Sequence, residues 1–111
     1  MKGFEIGELV AQGREAGKAY LEFLKVEALS AGVYMLPAGG VDKQQPHTED
    51  EVYYIVSGAG TFYSGGEERP VKAGSVLYVA AEEEHRFHTI TEDLVILVFF
   101  APAEYSQAKP S

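Results

Sequence analysis

The chain has 111 residues, no cysteine, and 17 acidic against nine basic side chains, for a net charge of −8. Its length suits one domain with one core, and the lack of cysteine removes disulfides, thiolate metal sites and thiol nucleophiles and suits a reducing cytoplasm. The acidic balance argues against a nucleic-acid partner, which would need a basic stripe to neutralise phosphates; the same field attracts divalent cations.

In chain order, the N-terminal stretch is interrupted by Gly7, Gly13 and Gly17, is the least legible part, and has no apolar core of signal-peptide length. Strands are expected over 20–26, 31–36, 51–56, 60–63, 76–79, 86–90 and 94–100, all rich in β-branched and aromatic residues. Ser64-Gly65-Gly66 reads as a tight hairpin, and Lys72-Ala73-Gly74-Ser75 and Thr91-Glu92-Asp93 read as further connectors. Short strands at regular spacing with no convincing helix between them predict an all-β sandwich or barrel. The longest apolar run is too short to span a bilayer, so a soluble, cytoplasmic protein without a membrane partner is expected.

Strand 94–100 is apolar at every position, with Leu94, Ile96, Val98 and Phe100 on one face and Val95, Leu97 and Phe99 on the other. With helices missing, the barrel interior covers one face and a partner subunit the other, which predicts a homodimer.

The chemistry-bearing residues fall in two stretches. Gln45, His47 and Glu51 stand at even offsets on an extended chain and so can face one cavity. An amide oxygen, an imidazole and a carboxylate turned together form a nest for a divalent metal. The second stretch, from Gly74, adds His85 at the start of another strand. His88 lies an odd number of positions from His85, so a regular strand points it to the opposite face, either in a structural role or in support of the metal ligands. Glu49 and Asp50 read as solvated neighbours, either able to replace Glu51 if the backbone bulges. Tyr53 shares the face of Glu51 and Phe87 that of His85, which makes these two the expected pocket wall. No phosphate loop, nucleophile elbow or zinc-protease helix is present in the sequence.

These stretches resemble the two motifs of the cupin superfamily. Gly39, His47, Glu51 and Gly58 are in register with the first motif, and Gly74 and His85 with the second. Gln45 stands where the family usually has its first histidine; Ala80, Glu82 and Thr89 replace the proline, glycine and asparagine of the second motif. The resemblance implies a double-stranded β-helix (jelly-roll) barrel with a core over about residues 31–101 of a single domain, residues 1–111. It also implies His47, Glu51 and His85 as ligands of iron, manganese, zinc or nickel, with Gln45 as a fourth ligand or the holder of a metal-bound water.

Cupins host many activities, so fold does not choose the function. The first expectation is a metal-dependent enzyme, of oxygenase or isomerase/lyase type and conceivably a dioxygenase, acting on a small organic substrate inside the barrel; three ligands leave open positions for such chemistry. The alternatives are a non-catalytic small-molecule binding or sensing module and a metal-free remnant of the fold.

Overall fold

A computed structural model describes residues 1–43 and 46–106. In chain order these form α1 (Ile6–Ala16), β1 (Tyr20–Val26), β2 (Leu29–Leu36), β3 (Asp50–Ser64), β4 (Glu67–Lys72), β5 (Val76–Val79) and β6 (His85–Ala101). All strand pairs are antiparallel, in the order β1-β2-β6-β3-β4, with β5 pairing β3 beside that path. Among the described residues no helix is long and apolar enough to cross a membrane.

Alternation places the core as expected. Leu94, Ile96, Val98 and Phe100 turn inward to meet Tyr53, Ile55, Phe62, Leu77, Val79 and Phe87. The hairpin at Gly65-Gly66 has both glycines at positive φ, the geometry that matches strand twist. At Lys72–Ser75 the Ser75 N–H donates to the Lys72 carbonyl at 2.9 Å, and Gly74 takes a φ of 95°.

Two long strands replace four short ones. β3 runs unbroken through Ser57-Gly58-Ala59-Gly60, and β6 through Thr91-Glu92-Asp93, so Thr91–Asp93 is not a connector. Their loss of apolar alternation marks a bend, because register shifts between Ile55 and Thr61 let the ladder turn without ending. Gly58 sits in that bend at φ 95°, where a Cβ would lie 2.1 Å from the Asp93 carbonyl oxygen and 2.8 Å from Leu94 Cα. The polar edge strand β4 was not expected; Val71 is its one buried residue, and it contains Pro70, which sheet edges tolerate.

The helix is the larger correction. Gly17 is its left-handed C-terminal cap, with N–H bonds from Gly17 to the Arg14 carbonyl and from Lys18 to the Gly13 carbonyl. Gly13 lets Met35 approach, since a Cβ there would lie 2.5 Å from Met35 Cε. Glycines that read as interruptions are thus a cap and a contact. Leu9 packs with Val33 and Val95, flanked by Val10, Phe23, Met35 and Leu97. Part of the outer cover of strand 94–100 therefore comes from the chain itself, not from a partner; Phe99, further along that face, stays 36% exposed.

Glu82 and Thr89, which stand where the second motif has glycine and asparagine, take φ of 66° and 49°. Glycine and asparagine are the residues that adopt this left-handed region most readily. The local backbone is therefore the one the motif residues favour, held here by a glutamate and a β-branched threonine. Urea denaturation should give Glu82→Gly a stability gain of up to about 1 kcal/mol, the left-handed penalty of a side chain less the entropy of glycine. Gly58→Ala should lose about 3 kcal/mol or more, because strain and backbone overlap coincide there. An unchanged midpoint for Gly58→Ala would contradict the close approach.

Candidate metal centre

Glu51 lies near the start of β3 and His85 opens β6, while His47 stands in the loop before β3. Three contacts gather these segments. The Glu82 N–H donates to the His47 carbonyl at 2.7 Å, the Ala81 N–H to Asp50 Oδ1 at 2.9 Å, and Glu51 pairs with Val79 on β5. The turn from Ala80 to Glu84 then leads straight into His85.

The three side chains are buried, at 7%, 1% and 3% exposure for His47, Glu51 and His85. One candidate ligand atom from each lies within 4.8 Å of the others, a group that can hold a metal ion. His85 Nε2 is 3.0 Å and His47 Nδ1 3.7 Å from Glu51 Oε1. None of these close approaches is aligned as a hydrogen bond: His47 Nδ1, His85 Nε2 and both Glu51 carboxylate oxygens are buried without a hydrogen-bond partner. Leaving a buried polar atom unsatisfied costs about 1–3 kcal/mol, so four gathered together fit a cation bound between them. The donor set of two imidazoles and a carboxylate suits a divalent transition metal.

Burial acts to lower the His85 pKa, but the Glu51 carboxylate and the Glu83 carbonyl outweigh it and hold the imidazole above its usual value. The Glu83 carbonyl accepts from His85 Nδ1 at 2.8 Å. Asp42, buried nearby, accepts from the Tyr34 hydroxyl at 2.6 Å and the Phe87 N–H at 2.9 Å.

The remaining expected residues divide. Gln45 lies outside the described residues. His88 is apart from the group, 3.0 Å from Glu68 Oε1 and bonded to Thr89. Asp50 is exposed as expected, but Glu49 is 2% exposed rather than solvated. Its carboxylate accepts from the Thr48 hydroxyl and the Tyr105 N–H, which compensates its burial. Tyr53 packs against Phe62, Phe87 and His85 in the core, and Phe87 against Phe62. The cavity beside the group has other walls: Tyr20, Tyr34, Lys43, His47, Val98, Phe100, Glu104 and Tyr105, enclosing about 330 Å³. Tyr20 and Tyr34 lie in stretches expected as strands, and the structure pairs them across β1 and β2, whereas Glu104 and Tyr105, past Pro102, carry no strand signal. A larger open cleft of about 800 Å³ between β4 and β5 is lined by none of the three central residues. The smaller cavity is the better candidate, because His47 of the group lines it.

A curled antiparallel barrel with histidines and a glutamate gathered inside it defines a class of small β-barrel proteins able to bind metal. The cupin-domain family model matches residues 32–100, and the chain belongs to the cupin family, with its double-stranded β-helix fold. An uncharacterized protein of Streptomyces coelicolor is 47% identical over 104 residues, covering 94% of this chain and 99% of that one. The structure of TT1209 from Thermus thermophilus shares the fold at TM-score 0.74 and 21% identity, covering 93% and 99% of the two chains. A predicted oxalate decarboxylase of Thermotoga maritima is similar at TM-score 0.60 and 31% identity, covering 68% of each chain.

The raised pKa of His85 gives two pH responses of opposite sign. In chelator-treated protein, the imidazolium beside Glu51 adds stability that is fully present below the ordinary value of 6.5 and is lost as pH rises through the higher folded value. Metal binding needs the neutral ring, so affinity for an added divalent cation should rise over that same interval. Thermal denaturation with chelator and competition titration with zinc, each between about pH 6 and about pH 8.5, check the pair. Two responses of the same sign would contradict the assignment.

Proposed function

We propose that this cupin binds a divalent metal through His47, Glu51 and His85 and uses it on a small organic molecule held in the adjacent cavity. The observation that carries the reading is the gathering of four orphaned ligand atoms from His47, Glu51 and His85, of which His47 also lines that cavity. A metal-free role would leave His85 and Glu51 Oε1 to compensate each other, with His47 Nδ1 and Glu51 Oε2 unsatisfied at about 1–3 kcal/mol each.

When bound, the metal would supply Lewis-acid polarisation of substrate oxygens, and iron or manganese would add oxygen chemistry. The chain's own residues account for binding. Val98 and Phe100 offer an apolar floor, and Lys43 a positive charge at the rim. Burial, with the carboxylates nearby, raises the pKa values of the Tyr20 and Tyr34 phenols and keeps both protonated. The Tyr20 hydroxyl is buried and without a partner, so it is free to donate to an oxygen of the substrate. These features suit a compact molecule with a chelating pair of oxygens, and the likeness to a predicted oxalate decarboxylase supports a dicarboxylate as the first compound to try.

Binding without turnover is favoured by one observation, the cover of His47 by Glu104 and by Tyr105, whose ring stacks on the imidazole at 5.3 Å. Protein purified without added metal should contain iron, manganese, zinc or nickel, and His47→Ala and His85→Ala should each abolish it while the β circular-dichroism signal persists. Full metal content in either variant ends the proposal. Consumption of oxalate or of oxygen by the loaded protein separates the enzyme from the binding module.

The homodimer is part of the same proposal, its patch keeping the Phe99 end of the outer face of strand 94–100 and extending across β3 and β5. Val52 pairs with Tyr78 and Phe99, and Tyr54 with Val76 and Leu97, so their outward side chains form one apolar surface across β5, β3 and β6. Sedimentation should show a dimer that Phe99→Asp converts to a folded monomer. A wild-type monomer at high concentration overturns it.

A further inference from the structure

Each histidine of the group turns one ring nitrogen toward Glu51 and the other away. For His85 the outward nitrogen, Nδ1, meets the Glu83 carbonyl at 2.8 Å. For His47 the outward nitrogen is Nε2, and it meets a side chain, Glu104 Oε2, at 3.1 Å. A carboxylate only accepts, so Nε2 carries the proton, and the neutral ring keeps its lone pair on Nδ1. Nδ1 is the buried, partnerless atom 3.7 Å from Glu51 Oε1.

Glu104 does not reach His47 by chance of a loose tail. Its own N–H donates to Ser30 Oγ at 2.8 Å, and the next N–H, of Tyr105, donates to the carboxylate of Glu49. Ser30 and Glu49 are both buried. The Tyr105 ring lies on one side of the His47 imidazole at 5.3 Å and the Phe100 ring on another at 4.6 Å. Backbone anchors thus fix the carboxylate in space, and two aromatic rings limit the imidazole to small rotations.

We infer that Glu104 is a positioning residue for His47: it sets the Nε2–H tautomer and aims Nδ1 at the point shared with Glu51 and His85. Its effect on metal affinity rests on the metal reading above; its effect on the tautomer needs no metal. Carboxylates in this position make the imidazole a stronger donor, and their removal typically costs about 10–100-fold in metal affinity.

The test uses full-length protein with two readouts. Nitrogen-15 NMR of the His47 ring in metal-free protein, at a pH where the ring is neutral, should show protonated Nε2 and unprotonated Nδ1. Glu104→Ala should give mixed tautomers and weaken zinc binding by about 10–100-fold in competition titrations. Glu104→Gln keeps the side-chain volume, the backbone anchors and an accepting oxygen, so it should fold, retain the tautomer and lose less than about 10-fold. The inference is overturned if Glu104→Ala leaves both tautomer and affinity unchanged, if Glu104→Gln mixes the tautomers as fully as Glu104→Ala does, or if Glu104→Ala abolishes zinc binding as completely as His47→Ala, which would make Glu104 a ligand itself. Should the wild-type protein take up none of iron, manganese, zinc and nickel, the metal reading fails, and the tautomer of His47 still decides the role of Glu104.

Discussion

The bend in β3 is the constraint on which the site depends. Glu51 is near one end of that strand, and His85 pairs with Ser64 at the other end. A straight strand would hold those two positions roughly 40 Å apart, yet Glu51 Oε1 and His85 Nε2 are 3.0 Å apart. Curling β3 until its ends meet demands a residue that can pass under the Asp93–Leu94 backbone at positive φ, and Gly58 is that residue. A glycine with no chemistry of its own therefore sets whether two ligating side chains can share a cation.

The site is stabilised from outside and strained within. Both histidines are held by acceptors facing away from Glu51, a carbonyl for one and a carboxylate for the other. The inward-facing atoms are left to be satisfied by something else. The turn that delivers His85 carries a glutamate in the left-handed region at Glu82, and the strand beyond carries a threonine there at Thr89. Local cost concentrated around a group of converging donors is the usual arrangement where binding geometry outranks stability.

The sequence made the barrel and the His47–Glu51–His85 group legible because both follow from strict local rules. Side-chain alternation sorts Leu94, Ile96, Val98 and Phe100 inward, and motif spacing identifies the three polar residues without any knowledge of the bend. What escaped was whatever depends on contacts between distant segments. The glycines of α1 read as breakers because nothing local shows that Met35 needs the space beside Gly13. Thr91–Asp93 read as a turn because the ladder to β3 that carries it through is a tertiary feature. Glu49 reads as solvated because one of its donors, the Tyr105 N–H, lies more than fifty residues away. Tyr53 and Phe87 were placed on the correct faces, but a face does not distinguish the packed floor of a barrel from the wall of its cavity.

Among the described residues the strand order leaves open edges at β1, at β4 and at the short β5, which pairs only with β3, and their composition governs how the molecule meets its neighbours in a crowded solution. An open strand edge is a template on which another chain can add and begin a fibre. On β4, Glu67, Glu68, Arg69 and Lys72 surround Pro70, which has no N–H to offer, so an incoming strand would meet charge and a missing donor together. On β1, Glu22, Lys25 and the irregular register between Glu22 and Leu24 serve the same end. At those two edges strand addition by a further copy is therefore opposed, whereas the four-residue β5, Val76–Val79, keeps an apolar edge beside the surface proposed for the dimer.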